Sequence, residues 1–329
     1  MTALSRRAFL VSTGVALAAP LATEAQRSDN FVRVALLRPA PPSPELAHVL
    51  DAFKQGLAQY GYLEGRNVTV EFRFPRGKTD RLSHIATELV RLKPNAILAV
   101  ASSGVDAVRK ATTTISIVAL DLETDPVATG IITSLARPGG NVTGIFLDFP
   151  ELGGKWLELV RQVAPQTSRV AILWDPATGR VPLSGAEAAA PSLGLRLQVL
   201  EARGSTDFEA VFRSAISARS EAMVILSSPV FNTYRRHLVD LAAKHRLPTI
   251  MPFPLFVEDG GLIAYGPDLV ELYKQSGAMV GRILKGARPG DVPIERPTRF
   301  VLAVNTRTAK ALGLTIPPSL LLRADQVIE

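Results

Sequence analysis

The chain of 329 residues contains no cysteine, which excludes disulfides, thiolate zinc sites, iron–sulfur clusters and a cysteine nucleophile. Histidine is nearly as scarce. The four that occur, His48, His84, His237 and His245, fall in helical patterns without metal-ligand spacing. Aromatics make up 6% of the residues, too few for the base-stacking platform of a single-stranded nucleic-acid binder. The formal charge is +7, but it is scattered with no run of five or six like charges, so it reads as solvated surface and no nucleic-acid partner is expected. Enzyme signatures are missing as well: there is no Gly-x-Ser-x-Gly, no His-Glu-x-x-His and no glycine loop followed by Lys-Ser/Thr. Gly139-Gly140 lacks the dinucleotide fingerprint. No catalytic set, metal site or cofactor is therefore expected.

What is present is a globular composition, 47% apolar and 20% charged, with room for two domains. The first residues form an address. Arg6-Arg7 precedes a small, apolar run from Val11 to Ala22 and then Thr23-Glu24-Ala25, the pattern of a twin-arginine export signal over residues 1–25. The run is too short to cross a bilayer, which takes about 20 apolar residues, and no later stretch reaches that length. No cysteine follows it to carry a lipid. A soluble, periplasmic protein is expected.

From residue 31 onward, short apolar runs alternate with helical patterns. Val32–Leu37, Val68–Phe72, Ala96–Val100, Ile115–Leu120 and Val142–Phe146 form a first set of expected strands. Val170–Trp174, Leu195–Leu200, Ala222–Leu226, Leu247–Met251 and Leu262–Tyr265 form a second, with Phe300–Val304 beyond it. Most are apolar throughout, as strands covered on both faces must be. Between them lie amphipathic stretches such as Leu82-Ile85-Leu89, so the chain reads as α/β, two Rossmann-like parallel-sheet lobes rather than one large sheet. Pro138-Gly139-Gly140-Asn141 and the strand after it mark the exit from the first lobe, and an amphipathic helix is expected over Leu269–Leu284, stopped by Lys285-Gly286.

Open parallel sheets bind ligands beyond the carboxyl ends of their strands. That rule nominates Arg38, Ser102, Ser103, Asp121, Trp174, Asp175, Ser227 with Ser228, and Tyr265. Each has a purely structural alternative. Ser102 or Ser103 can hold a carboxylate at a helix start or simply cap it. Asp121 can meet an ammonium or close a turn, Trp174 can stack on a planar ligand or pack in a lobe, and Arg38 can clamp an anion or stay solvated.

Phe53-Lys54-Gln55-Gly56-Leu57, Gly61-Tyr62-Leu63-Glu64-Gly65, Asp125-Pro126-Val127 and Ser134 through Gly144 carry a resemblance, together with Gly260-Gly261-Leu262, Ile283 through Ala287 and Thr308 through Pro317. With them the chain resembles the tryptophan/tyrosine-type uptake family of ABC-transporter substrate-binding proteins over nearly its whole length past the leader. The resemblance implies the type I periplasmic-binding fold, a hinged interlobe cleft and three crossovers. It places residues 30–147 and about 267–296 in an N-terminal lobe, and 148–266 and about 297–329 in a C-terminal lobe. It carries the family's polar turn onto Ser102-Ser103, a strand-end position onto Asp175, and a ligand-facing turn onto Pro229-Val230-Phe231-Asn232, which adds Asn232 to the candidates. Phe231 stands where an acid is usual and Phe146 where serine is frequent, which tilts the cleft towards an apolar guest such as an aromatic acid. The implied function is capture of a small solute between two lobes and delivery to a membrane permease, with a separate ATPase and a monomeric binding protein. A periplasmic sensor with the same cleft is the alternative. An exported hydrolase using Asp121, Asp175 or Ser102 is a third reading, opposed by the missing nucleophile elbow.

Overall fold

Buried parallel strands must be apolar on both faces, and five such strands build the first sheet of this chain. The structure is a computed structural model that describes residues 31–39, 46–75, 81–147 and 150–329; the expected export signal lies outside them. The strands are β1 (Val32–Leu37), β2 (Val68–Arg73), β3 (Ala96–Val100), β4 (Ser116–Asp121) and β5 (Val142–Phe146), in the order β2-β1-β3-β4-β5 and all parallel. Alternate residues serve opposite faces. Val34, Leu36, Leu98, Val118 and Leu120 pack on the side of helices α1 (Leu46–Ala58) and α10 (Leu269–Leu284), while Leu37, Ile97, Ala99, Ile117 and Phe146 pack with α2 (Leu82–Arg91) and α3 (Ala101–Ala111).

The second sheet has seven strands: β6 (Arg169–Trp174), β7 (Arg196–Glu201), β8 (Ala222–Ile225), β9 (Thr249–Met251), β10 (Ile263–Pro267), β11 (Phe300–Asn305) and β12 (Gln326–Ile328), in the order β12-β11-β10-β9-β8-β6-β7. Its helices include α4 (Glu151–Val163), α5 (Val181–Ala189), α6 (Phe208–Ser217), α7 (Pro229–Thr233), α8 (Arg235–Lys244) and α9 (Pro254–Glu258), with α11 (Thr306–Leu312) and α12 (Pro318–Leu321) near the C-terminus. The two-lobe α/β reading holds, with two differences of detail. β11 runs antiparallel to β10, and the C-terminal β12 adds an edge strand that no sequence pattern announced. Among the described residues, no helix is long and apolar enough to cross a membrane.

The chain passes between the sheets three times: from β5 to α4, from β10 to α10, and from α10 to β11. The excursion between β10 and β11 returns to the first sheet. Beyond α10, Val292 and Glu295 bond along β5: Thr143 Oγ1 donates to the Val292 carbonyl (2.8 Å) and Phe146 N–H to that of Glu295 (3.1 Å). α10 itself lies so close to α1 that glycine is required on both. A Cβ at Gly277 would stand 2.0 Å from the Phe53 carbonyl oxygen, and one at Gly56 2.0 Å from that of Lys274. This contact ties α10 to the first sheet although both its neighbours in sequence, β10 and β11, belong to the second.

Gly277→Ala should therefore destabilise the fold by about 1–3 kcal/mol, because a helix–helix contact made through backbone atoms has to open. Denaturant unfolding measures it; a change below about 0.5 kcal/mol, the range of ordinary surface substitutions, would show that the two helices separate freely.

Candidate ligand cleft between the two sheets

The carboxyl ends of both sets of strands face one chamber. From the first sheet come Arg38 and Pro39 after β1, Val100 and Ala101 where β3 meets α3, and Leu120, Leu122 and Glu123 at and beyond the end of β4. The second contributes Pro229 and Asn232 of α7 and Phe253 after β9, and α10 adds Leu269 and Tyr273. The chamber spans about 520 Å³ of space free of protein atoms, part of it open solvent. Its wall is largely apolar, and it carries no histidine.

Two polar groups stand out on that wall. Arg38 Nη1 is buried without a hydrogen-bond partner in the protein, and Glu123 Oε2 is buried with only the Asp121 carboxyl group to share a hydrogen bond with Glu123 besides Ser227. A third feature is the start of α3. Its N-cap is Val100, which has no side-chain acceptor to offer, and Ala101 takes a left-handed backbone (φ 61°), a strained choice for a residue with a Cβ. The first-turn N–H groups thus lack a side-chain cap where Val100 and Ala101 line the chamber, and the positive end of the helix dipole favours an anion there.

Glu123 is held by its neighbours. Its Oε1 accepts from Ser227 Oγ at 2.8 Å, a bond that joins the end of β4 to the end of β8 and so crosses from one sheet's lobe to the other's. Gly179 presses on its backbone, since a Cβ there would lie 1.8 Å from the Glu123 carbonyl oxygen. Asp121 sits beside it, wholly buried. Asp121 Oδ1 accepts from the N–H groups of Glu123 (3.0 Å) and Thr124 (3.2 Å), and Oδ2 accepts from Thr124 Oγ1. Burial raises the Asp121 carboxyl, against those hydrogen bonds; Glu123 is pushed well above the usual carboxylate range, by burial first and by the Asp121 charge second. Tyr273 is raised by burial, with the Arg38 charge opposing.

The structure brings Arg38 and Asn232 to the chamber wall and places the other residues nominated from sequence around it. Ser227 reaches it through Glu123. Asp121 lies behind Glu123 as the acceptor of a turn. Asp175 and Ser228 form a support: Ser228 Oγ donates to Asp175 Oδ2 (2.6 Å) and accepts from Val230 N–H (3.0 Å) and Phe231 N–H, capping α7 and so setting Asn232. Asp175 Oδ1 accepts from Ala177 N–H. Ser102 and Ser103 lie inside the first turn of α3 without capping it and are not among the lining residues. Trp174 is buried in its own lobe, its Nε1 donating to the Gly179 carbonyl and the Arg180 guanidinium 4.9 Å above its ring. Tyr265 stacks on Phe300 and its carbonyl accepts from Trp156 Nε1. Phe231 and Phe146, which tilted the expected guest towards an aromatic acid, pack inside the lobe cores, Phe231 against Phe208, and so leave the polarity of the chamber untouched. Glu123, Tyr273, Phe253 and Leu269 escaped the sequence reading. The strand-end rule stopped at Asp121, two residues short of Glu123, and Tyr273 reads as one more position on the buried stripe of α10.

A protein-family model described as ABC transporter substrate binding protein matches residues 42–328. A tyrosine-binding protein of Clostridioides difficile (strain R20291) is 26% identical over 274 residues, which cover 82% of this chain and 78% of that protein. Among solved structures, an ABC domain from Streptococcus pneumoniae in complex with L-Trp superposes with a TM-score of 0.82 at 22% identity, covering 91% of this chain and 100% of that one. A ligand-free, open substrate-binding protein with adhesive properties from Clostridium difficile gives 0.66 at 21% identity, over 91% of this chain and 99% of that one.

A buried carboxyl that keeps its proton longer in the folded than in the unfolded chain binds more protons when folded, so stability falls as pH rises from the ordinary glutamate value of 4.5 through the raised folded value. Glu123→Gln should remove that component. Without added ligand the variant should unfold a few degrees higher than the wild type at pH 7–8, and the gap should shrink towards pH 4.5. Melting curves across that range check it, and parallel pH profiles would refute it.

Proposed function

The chain belongs to the family of ABC transporter substrate-binding proteins, and we propose that the solute it captures is an α-amino acid with an apolar side chain of aromatic size. Capture of a small solute between two lobes for an ABC permease is the work of this family. The choice of solute rests on one observation: Arg38, with a buried guanidinium nitrogen that has no partner, and Glu123, with a buried carboxyl group, both line an otherwise apolar chamber. Buried charges call for counter-charges. A carboxylate suits Arg38, with the uncapped start of α3 adding to the attraction, and an ammonium suits Glu123. Val100, Leu120, Leu122, Phe253 and Leu269 then surround the apolar part, with Tyr273 alongside Arg38. The tyrosine-binding relative and the L-Trp complex of the same fold favour the same class.

Closure follows from the geometry. A ligand that touches both lobes only when they are shut has higher affinity for the shut form and shifts the population towards it. Binding is the whole task in this reading: the protein transforms nothing, acts as a monomer, and relies on a separate ATPase for energy. The Arg6-Arg7 leader would carry it out of the cytoplasm to the periplasm.

Thermal shift and calorimetry against a panel of aromatic and aliphatic amino acids, aromatic carboxylates and sugars test the proposal. Aromatic α-amino acids should raise the melting temperature most. Arg38→Met should weaken their binding at least tenfold, the scale on which a buried charge-assisted bond acts. Preferential stabilisation by a sugar, or by none of the panel at millimolar concentration, would overturn the amino-acid reading.

A further inference from the structure

Glu123 occupies a position that ligand binding alone does not require. One oxygen of its carboxyl group, Oε1, is bonded to Ser227 of the opposite lobe at 2.8 Å; the other, Oε2, is buried, and the group's further polar contact is a hydrogen bond with the Asp121 carboxyl group beside it. Its backbone is clamped as well, against Gly179 of the opposite lobe. The same carboxyl group therefore faces both the guest and the contact that holds the lobes together. Only 5% of Glu123 is exposed.

We propose that Glu123 is a charge-reading latch: a guest's ammonium draws it into the carboxylate form, and the carboxylate accepts a stronger bond from Ser227, so that the guest's positive charge, more than its size, secures closure. This rests on the amino-acid reading above and adds a positioning role for Glu123 and Ser227 to it. The bookkeeping of the step is one proton. Glu123 enters protonated, its O–H bond breaks as the ammonium pairs with Oε2, and the proton leaves to bulk solvent; the ammonium keeps all three of its own. A bond to an ionised acceptor is roughly twice as strong as a neutral one, which is how the signal passes to Ser227.

The groups around Glu123 fit this assignment. Burial first, and then Asp121 of the same loop, through its charge and a side-chain hydrogen bond, disfavour the ionised form of Glu123. Across the chamber stand Arg38 and Tyr273; no ion pair joins Arg38 to Glu123, so the arginine stays free for the guest's carboxylate. On the opposite lobe, Asp175 is engaged with Ser228, and Arg180, next to Gly179, lies over Trp174.

Calorimetry at pH 7 in two buffers of different ionisation enthalpy, with L-Trp, L-Tyr, L-Phe and L-Leu and with indole-3-propionate as the tryptophan analogue lacking the ammonium, separates the possibilities. The wild type should release protons on binding each amino acid and none with indole-3-propionate, and should prefer L-Trp over that analogue by at least tenfold. Glu123→Gln, which still accepts from Ser227, should release no proton and lose at least tenfold of that preference. Ser227→Ala should keep proton release and the preference, but bind every guest more weakly and contract less on binding in small-angle scattering. Unchanged proton release and preference in Glu123→Gln, or full contraction in Ser227→Ala, would overturn the latch while leaving the amino-acid reading in place. Failure of the wild type to bind any of the four amino acids would overturn both.

Discussion

A guanidinium or a carboxylate withdrawn from water carries a desolvation cost that only close counter-charges and hydrogen bonds offset. Arg38 Nη1 is withdrawn in this way without a protein partner, and Glu123 could ionise only at such a cost, with Asp121 beside it, so the protein holds, at one chamber, two polar demands it does not fully meet itself. A guest with both charges meets both, and one with neither leaves both unmet. That asymmetry gives discrimination by chemical class, while apolar walls by themselves distinguish guests by about 1–3 kcal/mol per methylene.

The fold serves this constraint by bringing strand ends from two separate sheets to one place. The first sheet supplies Arg38 and Glu123 from neighbouring regions of its carboxyl edge, after β1 and β4, and the second supplies Ser227 and Asn232 after β8. Support around them is polar and satisfied: Asp175 holds Ser228, Ser228 caps α7, and α7 presents Asn232. α10 is the element that binds the parts together topologically. Leu269 and Tyr273 line the chamber from its first two turns, while Gly277 locks the same helix to α1 by backbone contact. A shift of α10 would therefore alter the first lobe's packing and the chamber wall together.

Much of the architecture was legible because its elements repeat a simple physical requirement. β1, β3, β4, β6 and β8 are buried on both faces and so are apolar runs, and α10 matches its expected span because its amphipathic stripe is stopped by Lys285-Gly286; the structure adds the Asp268 cap at its start. β12 was not legible: Gln326-Val327-Ile328 is short, partly exposed and without alternation, and exists as a strand only because β11 offers an open edge. The antiparallel sense of β11 was equally hidden, since direction leaves no mark on a buried run. In the site, the strand-end rule reached Arg38, and the family turn reached Asn232, which are local facts about where strands and helices stop.

What the sequence by itself determined is most of the strands and helices and their two groupings, because these depend on composition and periodicity within short windows; the family follows from the resemblance its motifs carry. Tertiary structure alone decided which polar residues face the chamber. Asp121, Glu123 and Asp125 sit within five residues in a turn-like segment, and nothing in their order tells the two turn acceptors, one buried and one half-buried, from the chamber carboxyl. Glu123 acquires its character only when Ser227, 104 positions away, and Gly179 are folded against it. Burial, and with it the electrostatics of that carboxyl group, is a property of the assembled lobes.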